Sequence, residues 1–571
     1  MLRSKSSCLL TMISLLAFFI SGCGSGADKD ISTDSAAIAH GGALFSQHCS
    51  GCHNFRQDGI GPQLGGVTRR QSADRIRRFI KDPGAVIASG DQPARQLHDR
   101  YKTVMPSFAS LGDSDLNAIL AFLNTHRSPG PGNTASAEHA IVNPIRDTIP
   151  FSGLVADLMP VTRIPVSQAT APLTRITKLS YQPGTQDLFL VDLRGKLYKL
   201  KGGKPLVYLD ISKLRPKFIH EPGLATGFGS FAFHPDFARN GLLYTTHTEV
   251  AGSGKSDFTY PDSIKVALQF VLTEWKASRP GADTFSGTSR ELLRINMVTE
   301  SHGVQEITFN PLSKRGDADY GLLYIGIGDG GCVQVGYPFI LRGMKSIWGT
   351  VLRIDPAGRN SANGQYGIPA ANPFVKNENT GALGEIYAYG FRNPQRISWS
   401  KTGRMLVCNI GQANIESLYQ VQPGHNYGWP VREGNFAFNP NGDLNKIYPL
   451  PPNDSVYGIT YPVAEFDHDD GNAFSGGYEY WGTAVPQLKG KYLFGDIPSG
   501  KLFYINLADI KPGKLAPIKQ WRITINKVPE LLKHVCGSDR VDLHFGRDAQ
   551  GEIYLFTKAD GRVYKLVSAH Q

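Results

Sequence analysis

Three residues in the run ALFSQHCSGCHNF, Cys49, Cys52 and His53, stand in the C-x-x-C-H order that attaches a c-type haem. The spacing carries the chemistry: two thiols add to the vinyl groups on one edge of a macrocycle, and the adjoining imidazole reaches its iron. A redox C-x-x-C does not need His53, and half of a zinc site needs a second ligand pair nearby. Residues 54–127 supply only His98 and His126. Cys49 and Cys52 therefore read as the covalent attachment points of one haem c, and His53 as an iron ligand.

The surrounding elements suit a small helical domain. AHGGALFSQH has a short helical pattern with Gly41 and Phe45 four apart, and LGDSDLNAILAFLNTH is amphipathic with Leu116, Ile119, Leu120 and Leu123 on one face. Asp113 or Ser114 is placed to cap that helix. Over residues 36–127 the chain resembles class I cytochromes c, whose first and last helices cross beside the haem. The resemblance implies a methionine followed by proline as the sixth iron ligand. Met105-Pro106 in YKTVMPSFASLGDSDL fits, and no other methionine lies between the expected leader and residue 128. Histidine and methionine together raise the haem potential and leave no open coordination position, which suits electron transfer.

The chain begins like an exported protein. Arg3 and Lys5 precede the apolar run CLLTMISLLAFFI, too short for a comfortable membrane span. Ile20-Ser21-Gly22-Cys23 resembles the lipobox of bacterial lipoproteins, the alternative being an ordinary signal with a chance cysteine. The expectation is a signal peptide over 1–22, lipidation of Cys23 and a tether over 23–35. The mature protein would be an exported, membrane-anchored lipoprotein facing the periplasm or the cell exterior. Cys332, Cys408 and Cys536 are left over, and one disulfide plus one buried thiol is expected.

The rest of the 571-residue chain reads as β structure, with 63 glycines, 36 prolines and 19% charged residues. The net charge of +11 is spread without a basic run or aromatic interleaving, which excludes nucleic acid as a partner. A Pro, Gly and small-polar stretch over 128–149 is a linker. A turn followed by an apolar strand then recurs from Asp187, Gly241, Gly321, Gly403, Gly490 and Gly551. The spacing is too irregular for a strict repeat but right for a four-stranded blade with variable loops. The expected architecture is a small all-α cytochrome c domain followed by an all-β six-bladed β-propeller over 150–571; a β-sandwich or β-helix array is the alternative.

The phrases FGSFAFHPDFARNGLLY, SHGVQEITFNP, GLLYIGIGDGG, GTVLRIDPAGRN, YGIPAANPF, GEIYAYGFRNPQRISW and NYGWPVREGNF, in that order, resemble the glucose/sorbosone dehydrogenases. These are six-bladed propellers that use pyrroloquinoline quinone (PQQ). The resemblance implies a general base at His302 in the phrase SHGVQE, because a sugar hydroxyl must lose a proton as its carbon gives up a hydride. It implies Arg392 and Asn393 of RNPQ on the cofactor, the guanidinium serving negative charge that develops on the quinone oxygen. It also implies Ca²⁺ held by backbone carbonyls of Gly411 and Gln412 in NIGQANIES. On its own a loop histidine serves equally as a surface or capping residue, and a blade arginine as a structural ion-pair partner.

The sequence also departs from that pattern. Ser301 stands where an acid precedes the base, Ala225 where a glutamine touches cofactor or sugar, and Pro498 near the cofactor-binding lysine. The paired late arginines have no clean counterpart, with Arg540 nearby as a PQQ ligand. Asp467, His468 and Asp469 in AEFDHDDGNAFSGGYEY either line the substrate side or form a solvated acidic loop.

The leading expectation is a quinohaemoprotein dehydrogenase that oxidises an aldose or a related polyol or aldehyde. It would pass electrons through its haem to a membrane or periplasmic acceptor, such as another cytochrome or a respiratory-chain component. The rival is a cofactor-free propeller that binds glycans or a protein and is carried on an electron-transfer cytochrome. A third reading makes the propeller a docking scaffold for another oxidoreductase.

Overall fold

The computed structural model describes residues 31–49, 52–53, 55, 61–101, 104–126, 140–223, 225–376 and 381–571. The expected signal peptide, Cys23 and the first part of the tether and of the linker lie outside these residues. Among the described residues no helix is long and apolar enough to cross a membrane.

The N-terminal domain is built on a crossing of two helices. Asp34 caps the helix Ser35–His48 by accepting from the Ala37 amide. Where this helix meets Asp113–Thr125, a Cβ on Gly41 would lie 1.8 Å from the Ala118 carbonyl oxygen, so only glycine allows the approach. Leu116, Ile119, Leu120 and Leu123 are all buried against Phe45, Ile76 and Ile80, as their spacing predicts. Neither expected cap operates: the N-cap is Gly112, and Asp113 is the first helical residue, its carboxylate 2.8 Å from Lys81 Nζ.

The C-terminal domain is a ring of six four-stranded blades. The first comprises Ile176–Tyr181, Leu188–Asp192, Lys196–Lys201 and Lys204–Asp210; the next four occupy 228–297, 306–389, 394–467 and 474–525. The sixth takes Leu543–Arg547, Ile553–Thr557 and Arg562–His570 from the chain end and its outer strand, Phe151–Arg163, from the domain start. That strand runs antiparallel from Val155 opposite His570 to Arg163 opposite Arg562 and fastens the ring. Each of the six recurring phrases is the second strand of its blade, so the repeat reports one structural position.

Strand alternation places the site. Each blade enters at its inner strand, so the connections between blades and the loops joining second to third strands all open at one end of the ring. Across the centre, Lys178 and Arg396 both hold the Glu306 carboxylate, and Arg396 Nη2 donates to the Thr177 carbonyl at 2.9 Å. This buried triad joins the inner strands of the first, third and fourth blades.

Two expectations are corrected. The linker beyond residue 139 is docked: the Ile145 and Ile149 amides donate to the Asp467 and Asp470 carboxylates at 3.2 and 3.0 Å, and the Ile141 amide to the Ile447 carbonyl at 2.9 Å. The expected disulfide is absent, because Cys332, Cys408 and Cys536 are all free. They pack in or against three different hydrophobic clusters belonging to different blades, so none can reach another.

Candidate functional site

In the helical domain, Cys49, Cys52, His53 and Met105 line a single cavity of about 280 Å³ whose walls include Ile80 and Leu123. His53 Nδ1 lies 2.8 Å from the Pro62 carbonyl oxygen. A carbonyl only accepts, so Nδ1 carries the proton and Nε2 is left as the metal-binding nitrogen. A Cβ on Gly61 would fall 2.4 Å from the ring's Cε1, so glycine there lets the loop press against the imidazole. Two thiols, an oriented imidazole and a thioether around one apolar cavity fit an iron porphyrin. All four sequence-assigned haem residues thus come together.

The second cavity, of about 180 Å³, sits at the end of the ring where the blade connections open. His302, Arg392, Asn393, Gly411, Gln412 and Arg540 all line it, and so do Ser301, Ala225 and His468. His302 takes a positive φ of 50°, held by tight packing: a Cβ on Gly328 would lie 2.2 Å from the His302 carbonyl oxygen. Its Nδ1 is 2.7 Å from Asp329 Oδ1, a fully buried carboxylate that also accepts from the Gly331 amide at 2.8 Å and Trp429 Nε1 at 3.1 Å. Nδ1–H is therefore the donor, and Nε2 remains as the basic nitrogen. Burial and the nearby Arg392 guanidinium hold the His302 pKa below its usual value, against the opposing pull of Asp329. Burial works against charge on Asp329, but His302 and Arg392 more than offset it and the carboxyl stays ionised.

Arg392 is held in place by its own chain and by Gln412. Nε donates to Gln412 Oε1 at 2.6 Å, and the backbone amides of Arg392 and Asn393 both donate to Asn409 Oδ1, at 3.0 and 2.9 Å. The loop carrying Gly411 and Gln412 wraps the Glu433 carboxylate, whose Oε1 accepts from four successive amides, Gln412 to Ile415, at 2.7 to 3.1 Å. With those amides committed, the loop's carbonyls are what it can offer a hard cation. Among the described residues no group of three or more His, Cys, Asp or Glu side chains forms a metal cage. His468 faces the cavity with Nε2 3.3 Å from Glu416, and although burial opposes its charge, that carboxylate raises its pKa. Asp467 does not line the cavity; it holds the linker.

Five buried polar atoms on the lining residues have no hydrogen-bond partner: Thr177 Oγ1, Gln395 Oε1, Arg396 Nε, Gln412 Nε2 and His544 Nε2. Four cations, Arg392, Arg396, Arg540 and Lys558, line the space against a single carboxylate, Asp542. Orphaned donors and an excess of positive charge fit a planar polycarboxylate such as PQQ.

The two cavities adjoin. Cys52 and His53 line the propeller cavity as well as their own, and Arg540 lines both, with Nη1 3.0 Å from Cys52 Sγ and Nε 2.9 Å from Asp542 Oδ1. Sequence reasoning missed Asp329 although it stands inside the quoted GLLYIGIGDGG. It also missed Glu433, which stands inside the quoted NYGWPVREGNF, Lys558 in the turn after the last recurring strand, and the closing strand, whose burial does not alternate.

The chain matches the family described as Glucose / Sorbosone dehydrogenase over residues 219–565 and that described as Cytochrome c over residues 38–127. HIPL2 protein of Arabidopsis thaliana is 28% identical over 371 residues, which span 56% of this chain and 50% of the relative. Quinoprotein glucose dehydrogenase B of Acinetobacter calcoaceticus is 25% identical over 391 residues, 62% of this chain and 73% of the relative. The chain thus spans about half the length of the plant relative. Among solved structures a glucose dehydrogenase matches at a TM-score of 0.50 and 18% identity, covering 72% of this chain and 98% of its own, a likeness of fold.

Proposed function

The chain belongs to the glucose/sorbosone dehydrogenase family, and on that footing we propose that it is a quinohaemoprotein dehydrogenase. It oxidises an aldose or a related polyol or aldehyde and sends the electrons out through its own haem c. One observation carries the proposal: the haem-attaching Cys52 and the iron-ligating His53 line the same cavity as His302 and Arg392. PQQ bound there supplies a carbonyl that accepts the hydride, and haem c supplies a one-electron carrier.

The chain's own residues do the rest. His302, kept neutral by burial and by Arg392, takes the substrate hydroxyl proton on Nε2, and Asp329 fixes the ring and balances the imidazolium that results. Arg392 and Asn393 would hold the cofactor, with Arg392 poised at developing negative charge. Gly411 and Gln412 would offer carbonyls to Ca²⁺. Tethering the haem domain raises its effective concentration at the cavity, so two electrons can leave singly without a diffusing carrier. A lipid anchor at Cys23 would keep that relay beside membrane acceptors.

Protein supplied with PQQ and Ca²⁺ is expected to bleach an acceptor dye with at least one sugar of a broad panel and to reduce its own haem. No haem reduction with any sugar would refute the proposal. His302→Ala is expected to abolish turnover and leave the haem spectrum intact. A second reading, a binding propeller carried on a cytochrome, draws on Ala225 and Pro498 at the expected glutamine and lysine positions; a wild-type protein that binds no PQQ favours it.

A further inference from the structure

Lys558 sits in the loop between the second and third strands of the sixth blade. Its backbone is pinned from both sides: its amide donates to the Asp542 carbonyl at 3.1 Å, and its carbonyl accepts from the Thr174 amide and hydroxyl, each at 3.1 Å. The side chain is only 8% exposed and lines the propeller cavity. Among the described residues its ammonium makes no ion pair or hydrogen bond. Asp542, the carboxylate with most influence on it, is engaged by Arg540 Nε, and Asp192 acts more weakly. Arg175 and Arg540 add like charge, and His544, kept neutral by burial and by Lys558 itself, adds none. A buried cation among cations, without a partner, is unfavourable until an anion joins it.

The location explains why the expected lysine can be absent. The Val541 amide donates to the Pro498 carbonyl at 2.8 Å, and the Lys558 amide bonds to the neighbouring Asp542 carbonyl. Pro498 and Lys558 therefore flank the same short connection from opposite sides, one on the fifth blade and one on the sixth. We propose that Lys558 anchors a carboxylate of the bound quinone, replacing from the next blade the cation that Pro498 cannot supply. This assignment rests on the proposed use of PQQ. Arg540, beside it and against Cys52, turns that end of the cavity toward the haem domain.

Burial lowers the Lys558 pKa to about 8, against the opposing influence of Asp542. A bound carboxylate raises it again, so PQQ binding takes up protons above about pH 8 and few at about pH 6.5. Calorimetric titration of the Ca²⁺-loaded haem protein with PQQ, in buffers of differing ionisation heat, reads both affinity and proton uptake. Lys558→Met is expected to weaken PQQ at least about tenfold and to abolish the uptake at about pH 9. Lys558→Arg is expected to keep the affinity within about threefold, and an unchanged denaturant midpoint by tryptophan fluorescence, all six tryptophans lying in the propeller, certifies the fold of each variant. Wild type failing to bind PQQ overturns the proposed function and this assignment with it. Wild type and Lys558→Met binding alike, with equal proton uptake, overturns the assignment alone. Gluconate titrated in place of PQQ separates the sources: Lys558-dependent uptake with gluconate but not PQQ gives the site to an acid product and overturns the cofactor assignment.

Discussion

Replacing Asp329 with Asn tests whether His302 works as a base and separates that role from packing. The change keeps shape and leaves one oxygen to accept from the Gly331 amide, while the new amide nitrogen meets Trp429 Nε1–H donor to donor, so the denaturant midpoint of the propeller is measured alongside. It removes the buried charge 2.7 Å from His302 Nδ1. A hydrogen bond to a charged group contributes about 1.5–3 kcal/mol. Most of that is felt only when His302 becomes cationic, so kcat/KM is expected to fall about 10- to 150-fold. The pH profile gives an independent check. Asp329 raises the His302 pKa against burial and Arg392, so removing it lowers that pKa further. Catalysis by a neutral imidazole rises with pH through this pKa, so the acid limb of kcat/KM should move to lower pH while the plateau drops. The assay is dye reduction by the PQQ-loaded protein with its best sugar, with tryptophan fluorescence through denaturant unfolding certifying the propeller's fold. A variant whose plateau stays within twofold of wild type and whose acid limb does not move would refute this account of His302.

Met105→Ala should lower the haem midpoint potential by on the order of 0.1 V, within the ~0.8 V that axial ligands span, and open the iron to carbon monoxide. An unchanged potential in a redox titration, with no ligand binding, removes Met105 from the iron. Glu306→Gln leaves Lys178 and Arg396 as uncompensated buried cations, at a cost of about 3–5 kcal/mol to the propeller. All six tryptophans belong to that domain, so their fluorescence during denaturant unfolding isolates its transition, and an unmoved midpoint contradicts a central role for the triad.

What was legible in the sequence is what local chemistry encodes. Cys49, Cys52 and His53 are adjacent in the chain because a macrocycle edge demands it, and the six strand phrases share a position because each must turn and then bury the same face. Asp329 is 27 residues from His302 and meets it only because the third blade's second strand returns to the end of the ring from which its first strand set out. Lys558 has no neighbours in sequence that mark it; its meaning comes from a loop folding against Asp542 and Thr174. The linker beyond residue 139 has the composition of a tether, yet it is tied down by Asp467 and Asp470 more than 300 residues away, a pairing that composition cannot express. The closing strand escaped for a related reason: its partner is the other end of the domain.

The position of Arg540 bears on the direction in which electrons move. Burial opposes its charge, yet the Asp542 carboxylate that it hydrogen-bonds more than offsets this and raises its pKa, so it is cationic at every working pH. Although partly offset by Asp542, a positive charge next to the haem attachment sulfur would favour the reduced iron over the oxidised and raise the haem potential. The same guanidinium lines the propeller cavity, where it stabilises an anionic ligand. Under the proposed function, one side chain would hold the ligand's negative end near the haem and make the haem a better acceptor. Among the described residues Arg540 is the one propeller residue lining both cavities, so under the proposed function one contact between the domains would also shape the electrostatics of transfer.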